Sequence, residues 1–149
     1  MGTGGRTDSL VGYHFMVEVK GAFMGGFREC SGLGSEHEVI DDPRALEKGE
    51  TVIQKIPGKL KWTNIVLKRG ITDSMDLWNW RKKIEEGKVD ENRHNGSIVL
   101  YSQSNEEVAR WNFENGWPCK ISGPALNAGG SEVAVEELEI AHEKLYRVK

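Results

Sequence analysis

Only one stretch of this chain carries a strong helical signature. It is Leu60–Gly87, LKWTNIVLKRGITDSMDLWNWRKKIEEG, and most of what surrounds it reads at the two-residue period of strands. Leu60–Arg69 mixes β-branched and apolar residues with lysines, and Gly70 breaks the run. Thr72, Asp73 and Ser74 then offer oxygens to the free N–H groups of a helix start. Asp73 and Asp76 precede Arg81, Lys82 and Lys83, the order the helix dipole favours, and Gly87 suits a left-handed stop. A helix over about 73–86 presents two adjoining stripes, Met75–Trp78–Arg81 and Leu77–Trp80–Ile84. A helix with so wide an apolar arc and two indoles is expected to cover a sheet.

The flanking segments supply that sheet. Val11–Lys20 alternates, with Tyr13, Phe15, Val17 and Val19 on one face. Ala22–Cys30 reads as a second strand with a bulge or tight bend at Gly25-Gly26, Ser31–Gly34 as a turn, and Ser35–Ile40 as a polar strand. Residues 41–50, DDPRALEKGE, read as a charged loop holding Pro43 and Gly49, long enough to be either mobile or committed to a partner. Thr51–Ile56 is a short strand that Pro57-Gly58 turns. After a polar connector at 88–95, Ser97–Tyr101 and Glu107–Phe113 make a hairpin. Asn115-Gly116 bends the chain into Trp117–Ser122. Glu132–Ile140 is the last strand, and its apolar residues change phase between Val135 and Leu138, which predicts either a bulge or a strand buried on different sides at its two ends. The expected fold is mainly β, a barrel or sandwich of two packed antiparallel sheets with one flanking α-helix. Residues 1–10 form a flexible arm and residues 11–149 a single domain.

Composition narrows function by exclusion. A net charge of −3 shows no basic excess for nucleic acid, and a mean hydropathy of −0.53 with no long apolar run argues against membrane insertion. The start MGTGGRTDSL lacks an apolar core, so no cleaved export signal is expected and the chain should fold in the cytoplasm. Cys30 and Cys119 form no framework, and His14, His37, His94 and His142 have no metal-binding spacing. Neither a metal nor a cofactor is expected. The acidic clusters Glu36/Glu38, Asp41/Asp42 and Glu136/Glu137/Glu139 read as solvated strand faces. Trp62, Trp78, Trp80, Trp111 and Trp117 read as core or interface anchors rather than a sugar-stacking platform. No catalytic constellation emerges, which points to a structural or binding protein and not an enzyme.

An ordered series of short motifs then carries a resemblance. It runs through Leu10-Val11-Gly12-Tyr13-His14-Phe15, Gly26-Phe27-Arg28-Glu29-Cys30-Ser31-Gly32-Leu33, Lys55-Ile56-Pro57-Gly58-Lys59 and Leu67-Lys68-Arg69-Gly70-Ile71-Thr72-Asp73. Leu77-Trp78-Asn79-Trp80, Trp111-Asn112-Phe113, Asn115-Gly116-Trp117-Pro118 and Gly123-Pro124-Ala125-Leu126-Asn127-Ala128 follow. Glu132-Val133-Ala134-Val135-Glu136 and Ala141-His142-Glu143 end it. In this order the chain resembles the tail tube proteins of contractile phages and the inner tube proteins of phage-derived contractile injection systems.

The resemblance implies the fold shared with type VI secretion tube proteins, six-membered rings stacked head to tail, and strands joined across subunits around a lumen. It implies as partners a contractile sheath protein, a baseplate with its spike, a tube-terminating cap, and luminal cargo that is an effector protein or phage DNA. The particle would be a phage tail or an extracellular, cytoplasmic or membrane-anchored injector, with no direct membrane insertion by this chain. The variable segment at 41–50 would reach a neighbouring subunit or the next ring, which makes Pro43, Arg44, Glu47 and Lys48 interface residues. Trp78 and Trp80 lie about 200° apart on a helix, so one core cannot take both and one of them is expected at an intersubunit contact. The alternatives are a tube-initiating baseplate adaptor of the same fold, or a β-sandwich carbohydrate-binding module.

Overall fold

The computed structural model describes residues 13–130 and 134–149. The expected flexible arm at 1–10, the first two residues of the expected first strand and the first two of the expected last strand lie outside them. The elements are β1 (His14–Val19), β2 (Phe23–Phe27), β3 (Glu29–Ser31), β4 (Ser35–Ala45), β5 (Thr51–Trp62), β6 (Ile65–Gly70) and α1 (Asp76–Glu85). A 3-10 turn at Asp90–Asn92 then leads into β7 (His94–Tyr101), β8 (Glu107–Ser122), β9 (Val135–Ala141) and β10 (Lys144–Arg147). The fold is mainly β with antiparallel pairing and one flanking helix, as the alternation predicts.

Eight strands form one sheet in the order β2-β1-β7-β8-β9-β6-β3, and β10 joins β8. The long β8 is shared by both halves of this sheet. Its first part pairs with β7 and β10; beyond a bend at Asn115 (φ 53°) and Gly116, it pairs with β9. The outermost strands, β2 and β3, are separated in the chain by Arg28 alone. Arg28 N–H donates to the Lys68 carbonyl at 2.8 Å, so the ends of the sheet meet and the body closes like a barrel. Val17, Ile65, Leu67, Ile98, Phe113, Leu138 and Ile140 fill it, and Leu77 and Trp80 of α1 join the same core. Gly96 and Gly116 flank the Phe113 ring so closely that a Cβ at either would fall 2.4 Å from it.

The structure corrects several expected boundaries. Leu60–Arg69 is not one strand: the chain breaks at Thr63-Asn64, where Thr63 N–H donates to Gly34 O at 3.2 Å. Ala22–Cys30 splits between the two ends of the sheet, and Gly25 and Gly26 sit in unbroken register opposite Val17 and Met16, without a bulge. The helix begins at Asp76 rather than near 73. Its first N–H groups are met by short-range bonds, Asp76 N–H to Ser74 Oγ (3.4 Å) and Leu77 N–H to Asp76 Oδ1 (2.8 Å). Its end is a Schellman motif, with Gly87 (φ +86°) donating to Ile84 O and Lys88 N–H to Lys83 O.

β9 itself keeps one inward face throughout, and the irregularity in its pairing lies on β8, where Cys119 is the extra residue between Pro118 and Lys120. Glu136, Leu138 and Ile140 all face inward in even register with β6, because a buried carboxylate occupies the position where an apolar residue was expected. β10 was not legible in the sequence; four residues with only Leu145 inward leave too short a period.

Two substitutions test this architecture. Leu67 is fully buried in β6 between β3 and β9, so Leu67→Ala should cost about 2–5 kcal/mol in denaturant unfolding. Gly32 has φ +86°, and a Cβ there would lie 1.9 Å from the Asn64 carbonyl oxygen. Gly32→Ala should therefore cost about 2–5 kcal/mol from left-handed strain plus overpacking.

Candidate assembly surface

The strands left out of the barrel are β4 and β5, which pair only with each other. The segment at 41–50 is not a long loop but the end of a hairpin arm, in which Asp41–Ala45 continue β4. The turn is tight: Leu46 N–H donates to Glu50 O (2.7 Å), Gly49 N–H to Leu46 O (3.0 Å), and Gly49 adopts φ +80°. Counting back in twos from the hydrogen-bonded Leu46–Glu50 pair places Pro43 opposite Ile53 and Pro57 opposite Val39 at non-hydrogen-bonded pairs. The missing proline N–H groups would have pointed outward, so neither ring breaks the ladder, and Pro57-Gly58 is strand rather than turn. A β-bulge opposite Glu38 absorbs Gly58 and Lys59.

Among the described residues nothing packs on either face of this arm beyond its root. Val39 is 66 % and Ile53 59 % exposed, and Ile40, Leu46, Val52 and Leu60 are exposed too. A lone two-stranded hairpin is marginal in water, and an apolar surface of this kind marks an interaction site. Pro43 and Arg44 lie at the far end of β4, and Glu47 and Lys48 in the turn; all four are exposed, and Arg44 is engaged by Asp42 on its own strand at 2.7 Å. The arm's root is anchored to the barrel by Trp62 and Leu33, which pack against the core. His142 sits beside Trp62, with ring centroids 5.9 Å apart, and its Nε2 bonds Thr63 O at 3.0 Å. Burial holds the His142 pKa below its usual value, outweighing the backbone carbonyl contacts that raise it.

A second surface lies at the start of α1. Arg69, at the end of β6, is buried and donates from Nε to Glu136 (2.6 Å) and from Nη2 to Asp76 (3.0 Å). Trp78 Nε1 donates to the other oxygen of Glu136 at 2.9 Å. Burial alone would lower the Arg69 pKa, yet the two carboxylates outweigh it and raise the value. Asp76, which burial alone would raise, is held below the usual carboxylate range by Ser74 and Arg69. The acidic run of β9 is thus not a wholly solvated face, since Glu136 is 4 % exposed. Trp78 is 37 % exposed and remains available to a neighbour. Trp80, also expected as an interface residue, is 3 % exposed: its indole packs on Phe23 and donates to Asn92 O at 2.9 Å. A neighbouring chain cannot reach it without unfolding the core.

The remaining chemistry-bearing side chains do not converge. Among the described residues no group of three or more His, Cys, Asp and Glu could hold a metal. Burial pushes the Cys30 thiol up to about 12, and burial with Glu139 nearby raises Cys119, so neither is a poised thiolate. Trp62, Trp80, Trp111 and Trp117 are buried or half-buried and do not present an aromatic platform. No helix among the described residues is long and apolar enough to cross a membrane.

Residues 11–146 match the model of the T4-like virus tail tube protein gp19 family, and the chain belongs to that family. Its fold is similar to that in the PVC extracellular contractile injection system. To the sheath–tube complex in the extended state it is 25 % identical over 90 % of this chain and 87 % of that one, with a TM-score of 0.74. To the sheath/tube terminator it is 25 % identical over 91 % and 93 %, with a TM-score of 0.75. Hcp1 from Flavobacterium johnsoniae shares the fold at 15 % identity and a TM-score of 0.59, over 90 % of this chain and 94 % of that one. No curated protein sequence matches significantly.

Removing Glu136 leaves the buried guanidinium with Asp76 alone and the Trp78 indole N–H without its acceptor, so Glu136→Ala should cost about 3–5 kcal/mol in thermal or denaturant unfolding. Replacing Arg69 and Glu136 together by apolar residues should cost less than either single truncation. The pH dependence has a fixed sign. His94 and His142 both have lowered pKa values when folded, so their contribution is full above about pH 6.5 and is lost as pH falls. The melting temperature should drop between pH 7 and pH 5, and less steeply in His142→Gln.

Proposed function

We propose that this chain is the structural subunit of a hollow tube. Copies join side by side into hexameric rings, the rings stack head to tail, and the lumen conducts an effector protein or phage DNA. Membership of the tail tube family and likeness to tube subunits of a contractile injection system support this role. The observation that carries it is the Ser35–Trp62 arm, a hairpin that exposes apolar residues on both faces and, beyond its root at Trp62, has no packing partner among the described residues. A barrel that has closed its own sheet has no internal use for such an arm; a neighbouring copy does. Repeating one heterologous contact around a ring satisfies every arm, and stacking rings gives an open filament.

By analogy with the complexes in which the similar structures were determined, a contractile sheath would surround the tube, a baseplate with its spike would start it, and a cap would end it. Trp78 would face a neighbour or the sheath. The role requires no catalysis: the chain contributes shape and contacts.

Negative-stain imaging of the purified protein at high concentration should show six-fold rings or hollow tubes. A variant in which Val39–Pro57 is replaced by a short glycine-containing turn should keep the barrel's melting transition within a few degrees and remain monomeric. Wild-type protein that stays monomeric at high concentration would overturn the reading, and rings from the shortened variant would show that the arm is not the contact.

A further inference from the structure

Two short links join the arm to the barrel, Gly32-Leu33-Gly34 ahead of β4 and Thr63-Asn64 behind β5. The links are fastened to each other. Thr63 N–H donates to Gly34 O at 3.2 Å, and a Cβ on Gly32 would lie 1.9 Å from the Asn64 carbonyl oxygen. Past the links, β4 and β5 pair only with each other, and their side-chain ion pairs, Arg44 with Asp42 and Lys55 with Asp41, stay within the arm. Arm and links therefore form one body, and the contacts at the links set its angle to the barrel.

The polar contacts there come from the end of β9. Asn64 Nδ2 donates to Glu139 Oε2 at 2.8 Å, and His142 Nε2 bonds Thr63 O at 3.0 Å. Cys119 backs the first of these, with its thiol 3.5 Å from the Glu139 carbonyl oxygen and 3.8 Å from Asn64 Nδ2. Trp62 and Leu33 add apolar packing, which holds the links close but is non-directional. A hydrogen bond to a carboxylate is shorter, stronger and sensitive to angle. Asn64 lies one residue beyond the Ile65–Ile140 pair that starts the β6–β9 ladder, so Glu139 reaches it diagonally across the two strands. Glu139 alternates with the buried Leu138 and Ile140 and has no place in the core.

Resting on the ring reading above, we propose that Glu139 is a positioning residue for assembly: by holding Asn64 it fixes the angle at which the arm leaves the barrel. A cyclic assembly is exacting about that angle. It closes only when every junction turns by the same amount, and an error at one junction is multiplied by the number of subunits, leaving the series open. The barrel does not depend on the bond, because Glu139 lies outside its core. Loosening Glu139 thus separates the two properties: the subunit folds, and the ring fails to close.

The test compares Glu139→Leu, which removes the acceptor, with Glu139→Gln, whose amide oxygen still accepts from Asn64. Residual dipolar couplings on the monomer, below the concentration of assembly, compare the alignment of arm amides with that of barrel amides. In wild type and Glu139→Gln the two should share one alignment. In Glu139→Leu the arm should lose it, while the barrel amides and the melting transition remain those of wild type. At higher concentration, negative-stain imaging should show closed rings from wild type and Glu139→Gln, and open arcs from Glu139→Leu. An arm that keeps the barrel's alignment in Glu139→Leu would overturn the proposal, as would one that lacks it in wild type. So would closed rings from Glu139→Leu at wild-type yield, or a barrel disturbed along with the arm, which would make Glu139 a general stabiliser. If wild type forms no rings the tube reading fails, and the couplings alone still decide whether Glu139 holds the arm.

Discussion

The hydrogen bond from Arg28 N–H to the Lys68 carbonyl marks the point where the two ends of an eight-stranded sheet come together. Until they meet, β2 and β3 are loose edges; once they meet, neither end of the sheet is left open. Closure separates the molecule into two parts with different energetics. The barrel buries Val17, Leu67, Phe113, Leu138 and Ile140 almost completely, and burying a side chain of this size stabilises by about 1.5–3 kcal/mol. The β4–β5 arm buries almost nothing, yet ordering it costs about 1–2 kcal/mol of backbone entropy per residue. In the proposed ring that cost is offset by surface of a neighbouring copy.

Closure also explains why α1 needs an ionic anchor. The helix is short, and only Leu77, Trp80 and Ile84 are buried, so its start at Asp76 lies at the rim of the core. Arg69 reaches from the end of β6 to Asp76 on the helix and Glu136 on β9, and Trp78 covers the same carboxylate. Helix, β6 and β9 are fixed at one point. A buried pair of this kind is not by itself a large source of stability, because desolvation cancels much of the attraction. Its contribution is geometric: Glu136 can be satisfied only with the helix start in one place, and that place leaves Trp78 half in solvent.

Fold class and family were legible because they rest on patterns longer than any local error. The alternation through β1, the Leu77–Trp80–Ile84 stripe and the order of short motifs survive a misplaced boundary. The arm was misread for a specific reason. Pro43 and Pro57 are ordinarily strand breakers, and both fall at pairs whose N–H groups point outward, a fact that depends on register and not on composition. The buried Glu136 was misread likewise. A glutamate in an acidic run looks solvated, and only the Arg69 side chain facing it across the β6–β9 pairing shows otherwise. For the two tryptophans, helical spacing established that they must part; the choice of Trp80 for the core came from Phe23 and Asn92, residues distant in sequence.

An exposed two-stranded arm is also an aggregation hazard, since a free strand edge pairs readily with other strands. The same features that hid the arm in the sequence limit this hazard. Pro43 removes a donor from one edge and Pro57 from the other, while lysines and carboxylates dominate the strands around them. An arbitrary apolar strand meets interrupted donors and unpaired charge on either side. Blunting the edges in this way lowers the affinity for any passing strand. In the proposed ring a moderate pairwise affinity suffices, because ring closure adds a contact without ordering another subunit and stabilises the whole ring beyond any single junction.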